Sequence, residues 1–139
     1  MTWHTGRLID HVHLRARDFA KTRAFYEAVL AVLEIPTTFA GDDWMQVDEL
    51  YIDSADREPP VATPTHVHLA FQARDQAMVK AFYDAALAAG GKDNGPPGER
   101  PYHPGYYGAF VIDPDGNNVE AVFHGPSTRS AASVEIESQ

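Results

Sequence analysis

Residues 11–18 read His-Val-His-Leu-Arg-Ala-Arg-Asp, and residues 68–75, which lie 57 positions later, read His-Leu-Ala-Phe-Gln-Ala-Arg-Asp. The match continues beyond both stretches, so that ten of the twenty residues in 11–30 are identical to their counterparts in 68–87. Similarity at a fixed offset indicates two copies of one structural unit. The sequence therefore predicts two homologous modules in tandem.

The first module is predicted to run from strand to helix to further strands. Residues 8–16 alternate between apolar and polar side chains, which is typical of a half-buried strand. Asp18 is a good N-cap for a helix, and Pro36 is expected to end that helix. Three short strands are then predicted, at residues 37–40, 44–47 and 49–53, and a proline-rich linker over 54–64.

The second module follows the same order. A strand is predicted over 65–73, and Asp75 is expected to cap a helix that ends at Gly90-Gly91. A Gly/Pro-rich loop over 93–105 precedes two strands, at residues 107–112 and 118–123. The sequence Asp113-Pro114-Asp115-Gly116 between these strands is a strong type I turn signal. Residues 125–139 are predicted to be a loose tail.

Composition excludes several classes of function. The chain has 11 Lys and Arg against 20 Asp and Glu, a formal charge of −9, so a polyanion such as nucleic acid would be repelled. It has no cysteine, which excludes disulfides, thiolate nucleophiles and cysteine-ligated metals. It shows neither a signal peptide nor an apolar run long enough to span a membrane, so we expect a cytoplasmic location without membrane partners.

Strand alternation places most of the chemically interesting side chains on one face of each predicted strand. The residues that share these polar faces are His11, His13, Arg15, Glu49, Tyr51, His66, His68, Glu120 and His124. If the two modules are related by a pseudo-twofold axis, their polar faces would enclose a common cleft. Imidazole and carboxylate together suit a divalent first-row metal.

The chain resembles the vicinal oxygen chelate superfamily, which comprises glyoxalases, bleomycin resistance proteins and extradiol dioxygenases. The resemblance covers about residues 7–124 and is carried by the repeated His…Asp…Phe-Tyr pattern and by the stretch Asp-Pro-Asp-Gly-Asn-Asn-Val-Glu at 113–120. It implies an α+β fold of two tandem βαβββ modules, at about 7–57 and 64–124. The modules would form one domain, 1–124, as a curved mixed sheet around a central cleft, with the helices outside.

The resemblance also implies a metal site. Its motif positions correspond here to His11, His68 and Glu120, and similarity to bacterial glyoxalase I adds Glu49 as a fourth ligand and Arg15 as a substrate-binding residue. The divalent ion would be Fe, Ni, Zn or Mn. Ligation by Glu49 favours lyase or isomerase chemistry, with Glu120 or Glu49 as the base, whereas a three-residue site favours dioxygenase chemistry.

Other polar side chains have two interpretations each. His13 and His66 are candidates for substrate binding, as partners of the ligands or as alternative ligands. His103, Tyr106 and Tyr107 lie in or beside the Gly/Pro-rich loop. They either line or close the cleft, with Tyr107 as a candidate catalytic group, or are ordinary turn residues.

Two classes of function remain open from the sequence. The first, which we favour, is a metalloenzyme that binds neighbouring oxygens of a small substrate. The alternative is a metal-free protein that sequesters a small molecule, with Trp44, Tyr51, Tyr106 and Tyr107 stacking on it. In either case the partner is a small molecule, and the resemblance implies a possible homodimer.

Overall fold

A computed structural model describes residues 2–7, 9–57, 60, 66–128 and 133–137. The chain forms, in order, β1 (Thr2–Thr5), β2 (Val12–Ala16), α1 (Phe19–Val32), β3 (Phe39–Ala40), β4 (Trp44–Val47), β5 (Leu50–Ser54), β6 (His68–Gln72), α2 (Gln76–Ala88), β7 (Lys92–Glu99), β8 (Tyr107–Ile112), β9 (Asn118–Phe123) and β10 (Val134–Glu137). Parts of the predicted linker, residues 58, 59 and 61–64, lie outside the described residues, as do 129–132, 138 and 139 of the predicted tail.

The two modules have the same strand order, which confirms the predicted pair of βαβββ units. The first sheet has the order β2-β5-β4-β3, and the second has the order β6-β9-β8-β7. In the first sheet β2 pairs in parallel with β5, and in the second β6 pairs in parallel with β9. The remaining pairs of neighbouring strands are antiparallel. As a result, β2 and β6 each stand at one end of their sheet.

Both helices begin where the sequence predicts. The side chain of Asp18 accepts a hydrogen bond from the backbone N–H of Lys21 at 3.3 Å, and Asp75 accepts one from Met78 at 2.8 Å. These bonds satisfy N–H groups that have no partner in the first turn of a helix. Gly90 follows α2 with a φ of +97°, a left-handed conformation that glycine adopts without steric cost.

One hydrophobic core unites the two modules. It contains the apolar faces of both sheets, including Ile52 and Val111, together with Phe25 of α1 and Phe82 of α2. The two helices also contact each other. Because both apolar faces belong to this core, the polar face of each sheet lies outside it within a single chain.

The turn between β8 and β9 joins the modules through buried carboxylates. Asp113 accepts hydrogen bonds from the hydroxyl of Tyr26 at 2.5 Å and from the amide side chain of Asn117 at 2.8 Å. Asp115 accepts one from the hydroxyl of Thr22 at 2.8 Å. Burial, followed by the charge of Asp113, raises the pKa of Tyr26 well above its ordinary value. The turn of module two is thus held by the helix of module one.

Substituting Tyr26 with phenylalanine is expected to lower the free energy of unfolding by about 1.5–3 kcal/mol, because a buried carboxylate loses a charge-assisted hydrogen bond. Tyr83 occupies the equivalent position in the repeat, and its hydroxyl donates to Asp93 at an exposed site. Tyr83→Phe should therefore change stability by less than about 0.5 kcal/mol. Urea unfolding of both variants measures the difference, and equal losses would contradict this account.

The same contact predicts a pH dependence. Because the pKa of Tyr26 is raised by folding, its contribution is complete below the ordinary tyrosine pKa of about 10 and is lost as pH rises beyond that value. Stability of the wild-type protein should fall above about pH 10, and this fall should be smaller in Tyr26→Phe. Thermal unfolding between pH 8 and pH 11 tests the expectation.

Three segments differ from the prediction. Residues 92–99, expected to be mostly loop, form β7, which pairs with β8 through two register shifts around Gly95. This strand lies at the end of its sheet, where prolines without an N–H donor are tolerated. The sequence also predicts no strand before residue 8 or within 125–139, whereas β1 and β10 lie there and pair with each other. Residues 2–5 and 92–99 lack regular alternation, and the alternation of Val-Glu-Ile-Glu at 134–137 covers only four residues, so pattern alone missed these strands.

Candidate functional site

Glu120 is a buried carboxylate on the polar face of the second sheet, with only 2% of its surface exposed. Its Oε1 atom lies 2.9 Å from Nε2 of His68, and its Oε2 atom accepts a hydrogen bond from the hydroxyl of Tyr106. Strand β6 is parallel to β9 with Ala70 opposite Glu120, so His68 lies two residues away on the same face. The structure therefore brings together two of the predicted ligands and one predicted substrate-binding residue.

The hydrogen bond from Asn118 sets the tautomer of His68. The side-chain amide of Asn118 donates to Nδ1 of His68 at 2.7 Å, so Nδ1 is the acceptor and the proton resides on Nε2. His68 then donates this proton to Glu120. The ring of His68 also contacts that of Phe110, with 6.0 Å between the centroids. The imidazole is thus held in one tautomer and one orientation.

Tyr106 is held over Glu120 by other rings. Its ring contacts those of Tyr102, His103 and His124 edge-on, with centroid distances of 4.9, 5.3 and 5.3 Å. His103 and His124 stack and share a hydrogen bond, with 2.8 Å between Nε2 of His103 and Nδ1 of His124. Loss of solvation, then the bond to Glu120, raises the pKa of Tyr106 well above its ordinary range. The phenol consequently stays protonated at neutral pH.

The backbone leaves room for this contact at Gly108. A Cβ atom added there would lie 3.1 Å from Oε2 of Glu120 and 3.3 Å from the ring of Tyr106. Both distances are shorter than an ordinary van der Waals contact. A larger residue at this position would therefore press against the carboxylate and the phenol.

His13 and Arg15 belong to a separate group on the polar face of the first sheet. Nε2 of His13 lies 2.8 Å from Oδ1 of Asp53, and Nε of Arg15 donates to the same oxygen at 3.0 Å. Strands β2 and β5 place Arg15 directly opposite Asp53. The acidic partner of Arg15 is therefore Asp53.

His11 and Glu49 are not grouped with Glu120 in a single chain. The side chain of His11 is 64% exposed, and its Nδ1 lies 2.7 Å from Oδ1 of Asp10. Glu49 lines an apolar groove together with Leu50 and other residues between the modules. Within the described residues, no group of three or more His, Asp or Glu side chains is arranged to hold a metal ion. The proposed ligands do not converge within one chain because the hydrophobic core lies between the polar face of the first sheet and that of the second.

Two further candidates lie away from the cluster. His66 is exposed and approaches the turn residue Gly116, on which a Cβ would lie 3.0 Å from Nε2 of the imidazole. Tyr107, suggested as catalytic, is buried in the hydrophobic core. Successive strand residues point to opposite faces, so Tyr106 reaches Glu120 and its neighbour does not. The tyrosine that contacts Glu120 is therefore Tyr106, one position before the catalytic candidate Tyr107.

Sequence reasoning missed two residues that organise these groups. Asn118 sets the tautomer of His68, and Asp53 joins His13 to Arg15. A signal existed for Asp53, because it shares the alternation of Tyr51 on the polar face. For Asn118 the signal was weaker, since an asparagine after a turn is usually explained by the turn itself.

The two βαβββ modules, with His68 and Glu120 on the sheet of the second module, point to one protein superfamily. The chain belongs to the Glyoxalase/Bleomycin resistance protein/Dioxygenase superfamily, whose family model matches residues 8–121. No curated protein matches the chain. Within the described residues, none of the helices is long and apolar enough to cross a membrane.

Several solved structures share the fold. A glyoxalase/bleomycin resistance protein from Albidiferax ferrireducens T118 is 30% identical, with a TM-score of 0.68 over 81% of this chain and 96% of that chain. A glyoxalase-related enzyme from Fulvimarina pelagi is 20% identical, with a TM-score of 0.67 over 90% and 99%. Lactoylglutathione lyase from Agrobacterium tumefaciens is 20% identical, with a TM-score of 0.62 over 85% and 94%. The last two similarities show the fold alone.

Proposed function

We propose that this protein is a metal-dependent enzyme that binds neighbouring oxygen atoms of a small substrate, with lyase, isomerase or dioxygenase chemistry. The observation that carries the proposal is Glu120, a buried carboxylate with an imidazole on one oxygen and a phenol on the other. Burying a carboxylate costs free energy unless it is paired, so the burial of Glu120 together with two polar partners supports a functional role for it. The proposed location is cytoplasmic.

The donor atoms of His68 and Glu120 fit a divalent metal. Imidazole nitrogen and carboxylate oxygen are ligands of iron, nickel, zinc and manganese, and these two atoms already lie 2.9 Å apart. To ligate the ion through Nε2, His68 would carry its proton on Nδ1, and the side-chain amide of Asn118 would turn to accept that proton through Oδ1. When bound, the ion would supply Lewis-acid polarisation of the substrate oxygens.

The residues around the ion would handle protons and orientation. Glu120 is placed to accept a proton from a carbon or oxygen atom of the substrate, since it is a carboxylate at the polar face. Tyr106 stays protonated and donates to Oε2, so it keeps that oxygen in a fixed position. The guanidinium of Arg100 lies over the ring of Phe110 at 5.4 Å, which adds a positive charge near the site.

A second copy of the chain is proposed to complete the ligand set. The exposed His11 precedes β2, and both β2 and β6 stand at the end of a sheet, where an additional strand can be accommodated. A symmetric dimer would place the polar face of module one in one copy against that of module two in the other. His11, with Glu49 as a possible fourth ligand, would then approach His68 and Glu120 of the partner copy.

One observation favours the alternative of a metal-free small-molecule binding protein. Within the part of the chain that the structure describes, only two of the four proposed ligands are in contact, and His11 is paired with Asp10 instead. In that case Glu120, held in place by His68 and Tyr106, would hydrogen-bond a ligand without catalysing a reaction. The two functions differ in whether the protein takes up a metal.

Metal titration of matched histidine variants tests the proposal. Protein purified without a polyhistidine tag should bind about one Zn²⁺, Ni²⁺ or Mn²⁺ ion per chain. His68→Ala is expected to weaken this binding by about a hundredfold, because a ligand is removed. His66→Ala is the control, since it removes an exposed imidazole two residues away and should leave binding within about twofold. Equal effects of the two substitutions, or no binding by the wild type, would reject the metal site.

A further inference from the structure

Arg100 places a guanidinium group on the polar face of the second sheet, the face that carries Glu120. A Cβ atom added at Gly98 would lie 3.1 Å from Nη1 of Arg100, and one added at Gly95 would lie 3.2 Å from Nη2. Gly98 pairs with Gly108, where an added Cβ would lie 3.1 Å from Oε2 of Glu120. Because paired residues of neighbouring strands point to the same face, the guanidinium and the carboxylate lie above adjacent positions of that face.

The surrounding backbone and one ring hold this guanidinium in place. Its Nη2 donates to the carbonyl of Pro96 at 2.7 Å, and its Nη1 donates to that of Glu99 at 3.2 Å. The backbone N–H of Arg100 donates to the carbonyl of Tyr106 at 3.0 Å. The Cζ atom lies 5.4 Å from the ring centroid of Phe110. The guanidinium is therefore fixed beside the aromatic residues of the Glu120 site.

The positive charge of Arg100 is left available to a ligand. Within the described part of the chain it has no acidic side chain at ion-pair distance, and its hydrogen-bond acceptors are two backbone carbonyls. A guanidinium has five N–H donors, so further donors remain for a bound molecule. By contrast, Arg15 forms an ion pair with Asp53 at 3.0 Å. Arg100 is thus better placed than Arg15 to bind an anionic group.

The distances to Phe110 indicate the size of the molecule that would fit. The ring centroid of Phe110 lies 6.0 Å from that of His68 on one side and 5.4 Å from Cζ of Arg100 on the other. Burial raises the pKa of Tyr106, and the charge of Arg100 acts in the opposite direction, so this charge reaches the phenol at Glu120. A molecule bound at His68 would therefore reach Arg100 across a single ring.

The internal repeat shows that this opening belongs to module two. Gly95 lies opposite Phe110 in the second sheet, and Phe39 lies opposite Gln46 in the first. These residues hold the same places in the two sheets, counted across the strands from the repeat equivalents 70 and 13. A phenylalanine side chain stands in module one where module two has none. The space for the guanidinium is consequently a feature of the face that carries Glu120.

We infer that Arg100 binds a carboxylate of the substrate, which makes the substrate a small carboxylic acid whose neighbouring oxygens lie about one ring away. The inference rests on the proposed function for the binding of those oxygens at His68 and Glu120. A carboxylate has two acceptor oxygens in one plane and matches paired N–H groups of a guanidinium. The half-buried ring of Phe110 contacts the apolar part between the two ends.

Two probes with the same ring test the inference through their charge. 3,4-Dihydroxybenzoate and 3,4-dihydroxybenzamide both carry neighbouring hydroxyl groups, but only the benzoate is anionic. In calorimetric titration of the Zn²⁺-loaded protein, the benzoate should bind at least about tenfold more tightly, because hydrogen bonds between charged groups are stronger than those to a neutral amide. Equal affinity for the two probes would overturn the inference.

Substitutions locate this preference at Arg100. Arg100→Gln should reduce it to about twofold or less and leave benzamide affinity and Zn²⁺ binding within about twofold of the wild type. Lys92→Gln is the matched control, since Lys92 is an exposed cation at the other end of β7, and it should keep the full preference. Equal weakening of both probes in Arg100→Gln would make Arg100 a support of β7 and overturn the inference.

A second variant covers the case in which Arg100→Gln does not fold. Arg100→Lys keeps the charge but cannot form paired hydrogen bonds to a carboxylate, so the preference should fall to about threefold. An undiminished preference in this variant would count against the inference.

Metal uptake separates a failure of this inference from a failure of the proposed function. Both probes are therefore titrated into the metal-free protein as well. If the wild type takes up no Zn²⁺ but still prefers the benzoate through Arg100, the metalloenzyme is rejected and the inference stands. If Zn²⁺ binds and neither state distinguishes the probes, the inference is overturned and the metalloenzyme stands.

Discussion

Replacing Glu120 by glutamine is expected to weaken divalent metal binding by about a hundredfold or more. The amide keeps the shape of the side chain and removes the negative charge that the ion requires. The expected change in unfolding free energy is small, about 1 kcal/mol, because both partners keep a group with which to hydrogen-bond and His68 is half exposed. Calorimetric titration with Zn²⁺ and urea unfolding of the same samples measure both effects.

Glu49→Gln tests whether Glu49, the second carboxylate proposed as a metal ligand, contributes to metal binding. If Glu49 is a fourth ligand, its substitution should weaken metal binding by about tenfold, and if it only lines the apolar groove, binding should be unchanged. The first result favours lyase or isomerase chemistry, and the second favours a three-ligand oxygenase site. A large loss of stability in metal-free Glu120→Gln, with metal binding retained, would instead make Glu120 a structural residue.

Dividing the chain within the linker is expected to abolish folding of both halves. Residues 1–60 and 61–139 share one hydrophobic core, and Tyr26 of the first half holds the turn of the second through Asp113. Chains of about 60 to 80 residues are marginal without disulfides, and this chain has no cysteine. Each fragment alone should give a poorly dispersed NMR spectrum, and an equimolar mixture should recover the dispersion of the intact protein. A well-dispersed spectrum from monomeric 1–60 would contradict this expectation.

Much of the fold could be predicted because local signals and the repeat agree. Asp18 and Asp75 cap the helices as expected, and alternation correctly separates buried Leu14 from exposed His13 in β2. The signal was too weak in β7, where Gly95 and the adjacent prolines are typical of a loop. An end strand with register shifts tolerates such residues, because part of its backbone need not pair.

The site was predictable in part. The pairing of His68 with Glu120 follows from motif positions on neighbouring strands of one module, so sequence reasoning finds it. The position of His11 depends on how two separate polar faces are brought together, and no local pattern in the sequence encodes that packing. Strand β8 begins at Tyr107 as predicted, so Tyr106 lies just before it, and its contact with Glu120 depends on the loop residues Tyr102 and His103 that pack on its ring.

Mixing two inactive variants tests the central claim, a metal site shared between copies, most directly. His11→Ala and Glu120→Gln should each lose metal binding, since each removes one ligand. In a mixed dimer, His11 from the Glu120→Gln copy would meet intact His68 and Glu120 from the other copy. After denaturation and joint refolding, the mixture should therefore recover Zn²⁺ binding at about one quarter of the wild-type stoichiometry, because random pairing makes half of the dimers mixed, each with one intact site. No recovery in a mixture that refolds to dimers would contradict the account.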